Sequence, residues 1–299
     1  MKGKKTTILL VIMFIVGLSL LLYPTVSNYW NSLHQSRVIR DYSDSASSLN
    51  KEKYEKVKEE AVYYNDVLSG VIVTDDAKSY DEVLDPFGTG IMGYIEIPAI
   101  GCELPIAHGT EDDTLKESIG HLEWTSLPVG GKSTHSVLSG HRGLPTAELL
   151  TNMDKLKLGD RFTLHILGEE LEYMIDQIIV VEPEDTSALG IIKDMDLVTL
   201  VTCTPYGINS HRLLVRGTRI DKEVREVSAI SLGGEVKEVS PIYLTAGAVL
   251  IVLVAAVICM ASYNSEKSRK KREREEKRFK RKEHYRRMQE KNGDRNEKR

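Results

Sequence analysis

Residues 199–217 read TLVTCTPYGINSHRLLVRG. The first part of this stretch is apolar and rich in β-branched residues, which favours a buried β-strand, and it ends at Cys203. Turn residues follow at 205–207, and a second apolar run begins directly after Arg212. The stretch therefore predicts two neighbouring strands, with a cysteine ending the first and an arginine starting the second, so that both side chains can reach one cleft.

Short strand-like runs alternate with turns on both sides of this stretch, from residue 93 to residue 220. The candidate strands span residues 94–97, 103–107, 135–138, 162–167, 173–181, 197–202 and 213–220. Several short strands at this spacing are typical of a closed or nearly closed β-barrel. Helical sequence is confined to connections, at 146–154 and 115–119. The pattern predicts a mainly β domain that is large enough to bury its own core.

The residues before these strands are predicted to be helical. Apolar side chains recur at positions 57, 61, 64 and 68 with Lys and Glu between them, and Gly70 follows as a stop signal. Such a segment can form a stalk or a helical pair packed on the main domain. A loop with the sequence DPFGTG at residues 85–90 then leads into the first strand.

Two apolar segments are candidates for crossing a membrane. Residues 8–23 follow a basic cluster and precede no small-residue cleavage site, so they predict an uncleaved anchor. Residues 242–262 carry no charge and are about as long as a membrane-spanning helix.

The charge of the chain is distributed unevenly. The net charge is −4, but residues 263–299 carry +9 and the N-terminal lysines carry +3, which leaves −16 between the two apolar segments. The positive-inside rule then places both termini in the cytoplasm and residues 24–241 outside. The basic tail suits either contact with anionic lipid or a solvated charged helix. Nucleic acid is not an expected partner, because the basic residues adjoin a membrane and few aromatics lie among them.

The cysteine and histidine positions indicate a nucleophile and a base. Of three cysteines, Cys259 lies in the second apolar segment, and the external Cys102 and Cys203 show no evident disulfide pattern, so at least one thiol is expected to be free. Among seven external histidines, His141 follows an apolar strand in a glycine-flanked loop, where catalytic groups are common. The other histidines remain alternatives on this argument. Arg212 can donate to an oxyanion, or it can simply end a strand at the surface.

These residues resemble the catalytic residues of the sortases, transpeptidases that attach proteins to Gram-positive cell walls or polymerise pilins. The sequence SGHR precedes TLVTC so that His141 lies 62 residues before Cys203, and Arg212 lies nine residues after it. Order, spacing and flanking sequence are all similar to the family pattern over residues 93–220. The resemblance implies an eight-stranded sortase barrel with N-terminal helices and short connecting helices, flanked by two transmembrane helices.

Within this family the chain looks like class C, the pilin-polymerising sortases. The grounds are the second apolar segment, the sequence of residues 203–217, and Asp85-Pro86-Phe87, which is similar to the lid motif of that class. The resemblance implies that Phe87 covers Cys203 and that Asp85 pairs with Arg212. An ordinary turn with a buried aromatic is the alternative reading of Asp85-Pro86-Phe87.

The implied reaction has two steps. The thiolate of Cys203 attacks the Thr–Gly bond of an LPxTG-like sorting signal and forms a thioester, while His141 protonates the leaving amine. A lysine amine of the next pilin then forms an isopeptide bond. The implied partners are pilin subunits and membrane lipid, and the catalytic domain is expected to be a monomer. No cofactor is implied, and no cluster of residues predicts a metal site.

Two other functions are compatible with parts of the sequence. A housekeeping sortase would anchor surface proteins to peptidoglycan with the same catalytic residues. A non-catalytic surface protein would carry LPxTG before its last span and a short tail, whereas this chain has SPIYL at 240–244 and a tail of 37 residues.

The predicted organisation has six parts and places the protein in the plasma membrane of a Gram-positive bacterium. They are an N-terminal transmembrane anchor (1–23), a helical stalk and lid loop (24–92), the sortase barrel (93–222), a linker (223–241), a second transmembrane helix (242–262) and a basic cytoplasmic tail (263–299).

Overall fold

The computed structural model describes residues 2–74, 78–144, 147–220, 267, 269–270 and 272–283, with side chains from residue 11 onward. The chain divides into two compact units, Ile15–Leu232 and Met1–Phe14 together with Gly233–Arg299. In the latter unit, the described residues of the basic tail are helical. The predicted linker and the predicted second span lie outside the described residues.

Eight strands close into a barrel in the order β1-β2-β3-β4-β7-β8-β6-β5. The strands are β1 (Ile91–Ile97), β2 (Cys102–His108), β3 (Ile119–His121), β4 (Thr134–Ser139), β5 (Arg161–Ile166), β6 (Glu169–Val181), β7 (Asp196–Thr204) and β8 (His211–Arg219). This confirms the predicted eight-stranded barrel. Two pairs, β2 with β3 and β4 with β7, are parallel, and the other six neighbours are antiparallel. Because parallel strands end at the same edge, the C-terminal ends of β4 and β7 lie side by side.

Two connections differ from the sequence-based expectation. The helix expected at 115–119 is α3 (Asp112–Glu117), and residue 119 instead begins β3. A strand of three residues has no readable alternation, which is why the pattern did not indicate it. The helix expected at 146–154 is reduced to a single 3₁₀ turn, Met153–Lys155, after a run of turns.

The barrel interior is filled by large apolar side chains from alternate positions of the strands. Phe162 and Tyr173 are fully buried there, with their rings stacked at 5.5 Å between centroids. A Cβ at Gly217 would lie 2.6 Å from Cε1 of Phe162, so only glycine allows β8 to pass this ring.

The two N-terminal helices, α1 (Lys2–Ser47) and α2 (Lys51–Leu68), pack against the barrel. The hydroxyl of Tyr42 in α1 donates to Met92 O at 2.6 Å and accepts from Leu167 N at 2.9 Å. In α2, the buried Asn65 side chain accepts from Leu127 N at 2.7 Å and donates to Leu127 O at 3.1 Å. The structure therefore has a packed helical pair rather than a free stalk. Within the described residues, one helix, α1 from Val11 onward, is long and apolar enough to cross a membrane.

Candidate active site

Cys203 and Arg212 are direct partners across β7 and β8. Opposed residues in an antiparallel pair point to the same face, with Cβ atoms about 5 Å apart. The strand register alone therefore brings the thiol and the guanidinium together.

His141 follows β4 at the point where that strand runs beside the end of β7. Ser139 pairs with Val201 in the parallel register, and the contact continues through a hydrogen bond from Gly140 N to Val201 O at 3.0 Å. The Thr202 hydroxyl donates to Gly140 O at 2.7 Å. His141 and Cys203 are the next residues on the two strands, so they are neighbours at one edge of the sheet.

Gly140 is required by the close packing beneath this edge. A Cβ at residue 140 would lie 2.8 Å from Cδ1 of Leu150 and 2.9 Å from Cγ2 of Ile119. The chain therefore passes directly over the core before it presents His141, and a larger residue would lift that histidine away from β7.

The catalytic candidates face the outside of the barrel. On β7, Val198 and Leu200 belong to the main core, whereas Val201 belongs to a separate small cluster. Since side chains alternate along a strand, Cys203 shares the outer face with Val201. The cluster contains Val137, Leu189, Val201 and Leu214, with Ala188 packed against it. It forms an apolar strip that leads to Cys203 and is partly covered by the β6–β7 connection.

Arg212 is held by backbone carbonyls. Its Nη1 donates to Asn209 O at 3.2 Å and to His211 O at 3.1 Å. Within the part of the chain that the structure describes, Arg212 forms no ion pair. Its charge is therefore not neutralised by a carboxylate and remains available to an anionic group beside Cys203.

Arg142 is a further residue of this site that the sequence analysis did not single out. Its guanidinium donates to Thr204 Oγ1 at 3.1 Å, pairs with Asp154 at 2.6 Å and lies over the ring of Tyr206 at 6.0 Å. The side chain is only 6% exposed. Arg142 thus joins the loop that follows His141 to the loop that follows Cys203. The sequence signal for it was only its position beside His141.

Cys102 and Cys203 have different surroundings. Burial raises the pKa of the Cys102 thiol to about 12, and its Sγ lies 3.8 Å from Leu149 O. Both side chains are partly exposed, so the contrast between the two cysteines lies in the desolvation of the Cys102 thiol. The Cys102 thiol is therefore protonated near neutral pH, which leaves Cys203 as the candidate nucleophile.

Several other histidines have structural partners. Burial lowers the pKa of His121 to about 4, and its Nε2 lies 2.9 Å from Ser126 O. Burial also lowers the pKa of His135, whose Nδ1 lies 2.9 Å from Gly190 O and whose Nε2 lies 2.7 Å from the Thr199 hydroxyl. The ring of His108 lies between two backbone carbonyls, and His165 stacks on Tyr94. These roles favour His141 as the base.

The structure does not bring the lid-like residues to the catalytic candidates. The carboxylate of Asp85 accepts from Thr89 N and Gly90 N, both at 3.0 Å, instead of pairing with Arg212. Pro86 O accepts from the Lys53 ammonium at 2.8 Å. Phe87 packs edge-on against Tyr42 of α1 at 5.7 Å rather than over Cys203. The loop is thus bound to itself and to the N-terminal helices, which corrects the expected lid contacts.

No group of three or more His, Cys, Asp or Glu side chains among the described residues is arranged to hold a metal ion.

Comparison with known proteins identifies the barrel. The family model described as "Sortase domain" matches residues 95–220. Sortase D of Bacillus subtilis is 31% identical over 150 residues, which are 49% of this chain and 72% of that protein.

Solved structures match a larger share of the chain than the family model does. The crystal structure of sortase C1 from Streptococcus agalactiae is 48% identical with a TM-score of 0.59, covering 62% of this chain and 99% of that one. The sortase C structure of Streptococcus pneumoniae, whose description refers to catalysis and pilin substrate specificity, is 43% identical with a TM-score of 0.55, covering 62% and 97%.

Proposed function

The chain belongs to the sortase family of cysteine transpeptidases, and we propose that it acts within this family as a class C enzyme that polymerises pilin subunits. The observation that carries the proposal is the register that sets Cys203 opposite Arg212 and next to His141 on one outer face. The similarity to class C structures over the whole barrel favours pilins as substrates.

In the first step, the thiolate of Cys203 attacks the carbonyl carbon between Thr and Gly of an LPxTG-like signal. Arg212 donates to the oxygen that becomes negative, and its fixed fork suits this task better than a lysine would. His141 donates a proton to the glycine nitrogen as the C–N bond breaks. The products are a thioester on Cys203 and a free glycine amine.

In the second step, a neutral lysine amine of another pilin attacks the thioester carbonyl. His141 accepts the proton that the amine loses, and the sulfur leaves as a thiolate. The new bond is an isopeptide bond, and the enzyme returns to its initial state. Repetition of the cycle lengthens the polymer by one subunit.

The apolar strip beside Cys203 supports a sorting signal as the acyl donor. Val201 and Leu214 are buried on the outer face next to the catalytic candidates, beneath Leu189 of the β6–β7 connection. An extended peptide that ends at the thiol can place its leucine and proline along such a surface, where burial of apolar side chains stabilises the complex.

The membrane arrangement is part of the same proposal. The apolar α1 suggests membrane anchoring. The charge distribution favours an extracellular barrel with both termini in the cytoplasm of a Gram-positive cell, and residues 242–262 would form the second span. A pilin that is itself held in the membrane before assembly would then meet the enzyme on the outer surface.

The test uses the full-length chain, reconstituted in vesicles and mixed with a recombinant pilin that carries a sorting signal. We expect a ladder of covalent polymers on a denaturing gel. Cys203→Ala should abolish the ladder, and the matched control Cys102→Ala should retain it, because the Cys102 thiol is buried and protonated. A pilin without its sorting signal should give no ladder.

Two outcomes would contradict the proposal. A ladder that persists in Cys203→Ala would exclude this thiol as the nucleophile. Cleavage of an LPxTG peptide with transfer to a glycine amine, but no pilin ladder, would retain the transpeptidase and move its function to the anchoring of surface proteins to peptidoglycan.

A further inference from the structure

The exposed face of α1 carries an apolar stripe just beyond the sequence that is predicted to span the membrane. Val26, Tyr29, Trp30 and Leu33 are 62%, 65%, 72% and 50% exposed. Positions i, i+3, i+4 and i+7 lie on one side of a helix, so these four side chains form a continuous surface. Large apolar side chains this exposed on one face indicate a covering partner.

The other side of the same helical turns contacts the barrel. The Asn28 side chain accepts from Glu148 N at 2.8 Å, and the Gln35 side chain donates to Glu117 O at 2.9 Å. The barrel therefore covers one face of these turns, while the stripe faces away from it.

The length of uncharged sequence identifies what covers the stripe. Residues 8–23 are 16 residues and about 24 Å as a helix, which is shorter than the hydrocarbon core of about 30 Å. The whole uncharged stretch, from Thr6 to Leu33, is 28 residues and about 42 Å, which matches a bilayer of about 40–45 Å including its headgroups. The stripe thus falls at the depth of the outer headgroup layer.

The side chains themselves agree with this depth. Tyr and Trp are enriched where a membrane meets water, because they present an apolar ring and a polar tip. After Leu33 the exposed positions of α1 become charged, with Arg37, Arg40, Asp41 and Asp44. The change from aromatic to charged side chains, from Trp30 to Arg37, occurs within about two helical turns, as it does at the surface of a bilayer.

We propose that the stripe of Val26, Tyr29, Trp30 and Leu33 lies in the phospholipid headgroup layer and seats the barrel directly on the membrane surface. Because Asn28 and Leu33 are about 7.5 Å apart along the helix axis, the barrel residues that Asn28 contacts are at the same level. The loop that follows His141 includes Glu148, and Leu150 N donates to His141 O at 3.2 Å. This loop is thereby attached to α1 at headgroup depth.

The contact of the stripe with the membrane does not depend on the proposed function. Its consequence for catalysis does rest on that function. A sorting signal that directly precedes its own membrane span reaches only a short distance above the lipid. A barrel held at headgroup depth can meet such a signal without a long linker on either partner.

The test uses the two tryptophans of the chain, Trp30 and Trp124. Full-length Trp124→Phe, which keeps only Trp30, is reconstituted in phosphatidylglycerol–phosphatidylcholine vesicles with brominated phosphatidylcholine. The matched control, Trp30→Phe/Trp124→Phe/Arg40→Trp, carries its single tryptophan about 15 Å further along the same helix. A cooperative unfolding transition in denaturant, followed by far-UV circular dichroism, checks that each variant is folded, independently of the proposed function.

We expect lipid bromines near the glycerol backbone to remove roughly half of the Trp30 fluorescence, and bromines near the chain ends to remove less. The tryptophan at position 40 should be quenched by aqueous acrylamide and not by lipid. Trp30 that responds to acrylamide as strongly as position 40 would overturn the proposal. Trp30 that responds to neither quencher would also overturn it, because a protein segment or a second copy would then cover the stripe.

Discussion

Two regions that carry family-like motifs differ in what determines their geometry. At the ends of β4, β7 and β8, the residues that the sequence singles out come together because three adjacent strands share one register. In the loop before β1, Asp85 and Phe87 contact their own loop and α1 instead of the catalytic candidates. Strand pairing fixes the relative positions of residues that are far apart in sequence, whereas the residues of a loop motif bind the nearest available partners.

The physical reason lies in chain entropy and unsatisfied donors. Thr89 N and Gly90 N need an acceptor, and the Asp85 carboxylate is only four and five residues away, so little loop-closure entropy is lost in reaching it. A contact between Asp85 and Arg212 would have to offset both the two lost hydrogen bonds and the larger entropy cost of closing a longer loop.

The largest expected contrast between the two regions concerns their charged residues. Arg212→Lys should lower kcat/KM for an LPxTG peptide by about 10²–10³, because a point charge does not reproduce the two-pronged donor. Asp85→Ala should leave kcat/KM within about twofold, because the Asp85 carboxylate binds its own loop and does not stabilise the oxyanion. Equal losses in the two variants would mean that Asp85 and Arg212 act together.

A smaller effect is expected for the residue that joins the two catalytic loops. Arg142→Gln should lower kcat by about 10-fold or more with little change in KM, because His141 and Cys203 lose their common clamp. Arg142→Lys should restore part of the rate. The half-exposed Asp154 offers a milder control, and Asp154→Asn should cost only about threefold.

The pH profile of kcat/KM separates positioning from folding for Arg142. A change in the His141–Cys203 arrangement should shift the limbs of the profile, whereas a loss of folded protein lowers the whole curve. A profile of unchanged shape and height in Arg142→Gln would remove the clamp from the mechanism.

The loop at residues 85–90 should contribute to the stability of the fold and not to the rate of catalysis. Asp85→Ala removes the acceptor of two backbone N–H groups, so the free energy of unfolding should fall by about 1–2 kcal/mol. Denaturant unfolding of the full chain in detergent measures this change. An unchanged midpoint would show that the two hydrogen bonds are replaced by water at no cost.

The smallest effect is expected for Phe87, and its measurement tests directly whether this side chain covers Cys203. Phe87→Ala should leave the alkylation rate of Cys203 unchanged, because Phe87 packs on Tyr42 and lies near Lys53. Intact mass spectrometry after a timed reaction with iodoacetamide measures this rate, with Cys203→Ala as the blank. A clear increase would mean that Phe87 shields the thiol in solution.

The strands that the sequence predicted are those with enough length to show alternation. β5 and β7 were recognised to within two residues of their observed bounds, and β6 was missed only over its first four residues, whereas Ile119 of the three-residue β3 was assigned to a helix. The helical character of residues 51–68 was also predictable, because its apolar positions follow the helical repeat. Whether that helix stood free or packed was not predictable, since Asn65 finds its partner at Leu127, 62 residues away.

The same division applies to the candidate site. Cys203, His141 and Arg212 became candidates because each lies where an apolar run meets a turn, which is a local property, and the resemblance to the sortases then selected them over the other histidines and over a surface role for Arg212. Arg142 could not, because its partners Thr204, Tyr206 and Asp154 come from two other parts of the chain.

The sequence by itself determined the β-rich domain, the apolar N-terminal segment and the uneven distribution of charge along the chain, because composition and periodicity act over neighbouring residues. Only the tertiary structure decided that the Cys102 thiol lies against Leu149 O, that Asp85 binds its own loop and that α1 lies against the barrel. Those outcomes depend on which distant groups meet when the barrel closes, and burial and hydrogen-bond satisfaction are properties of the closed structure.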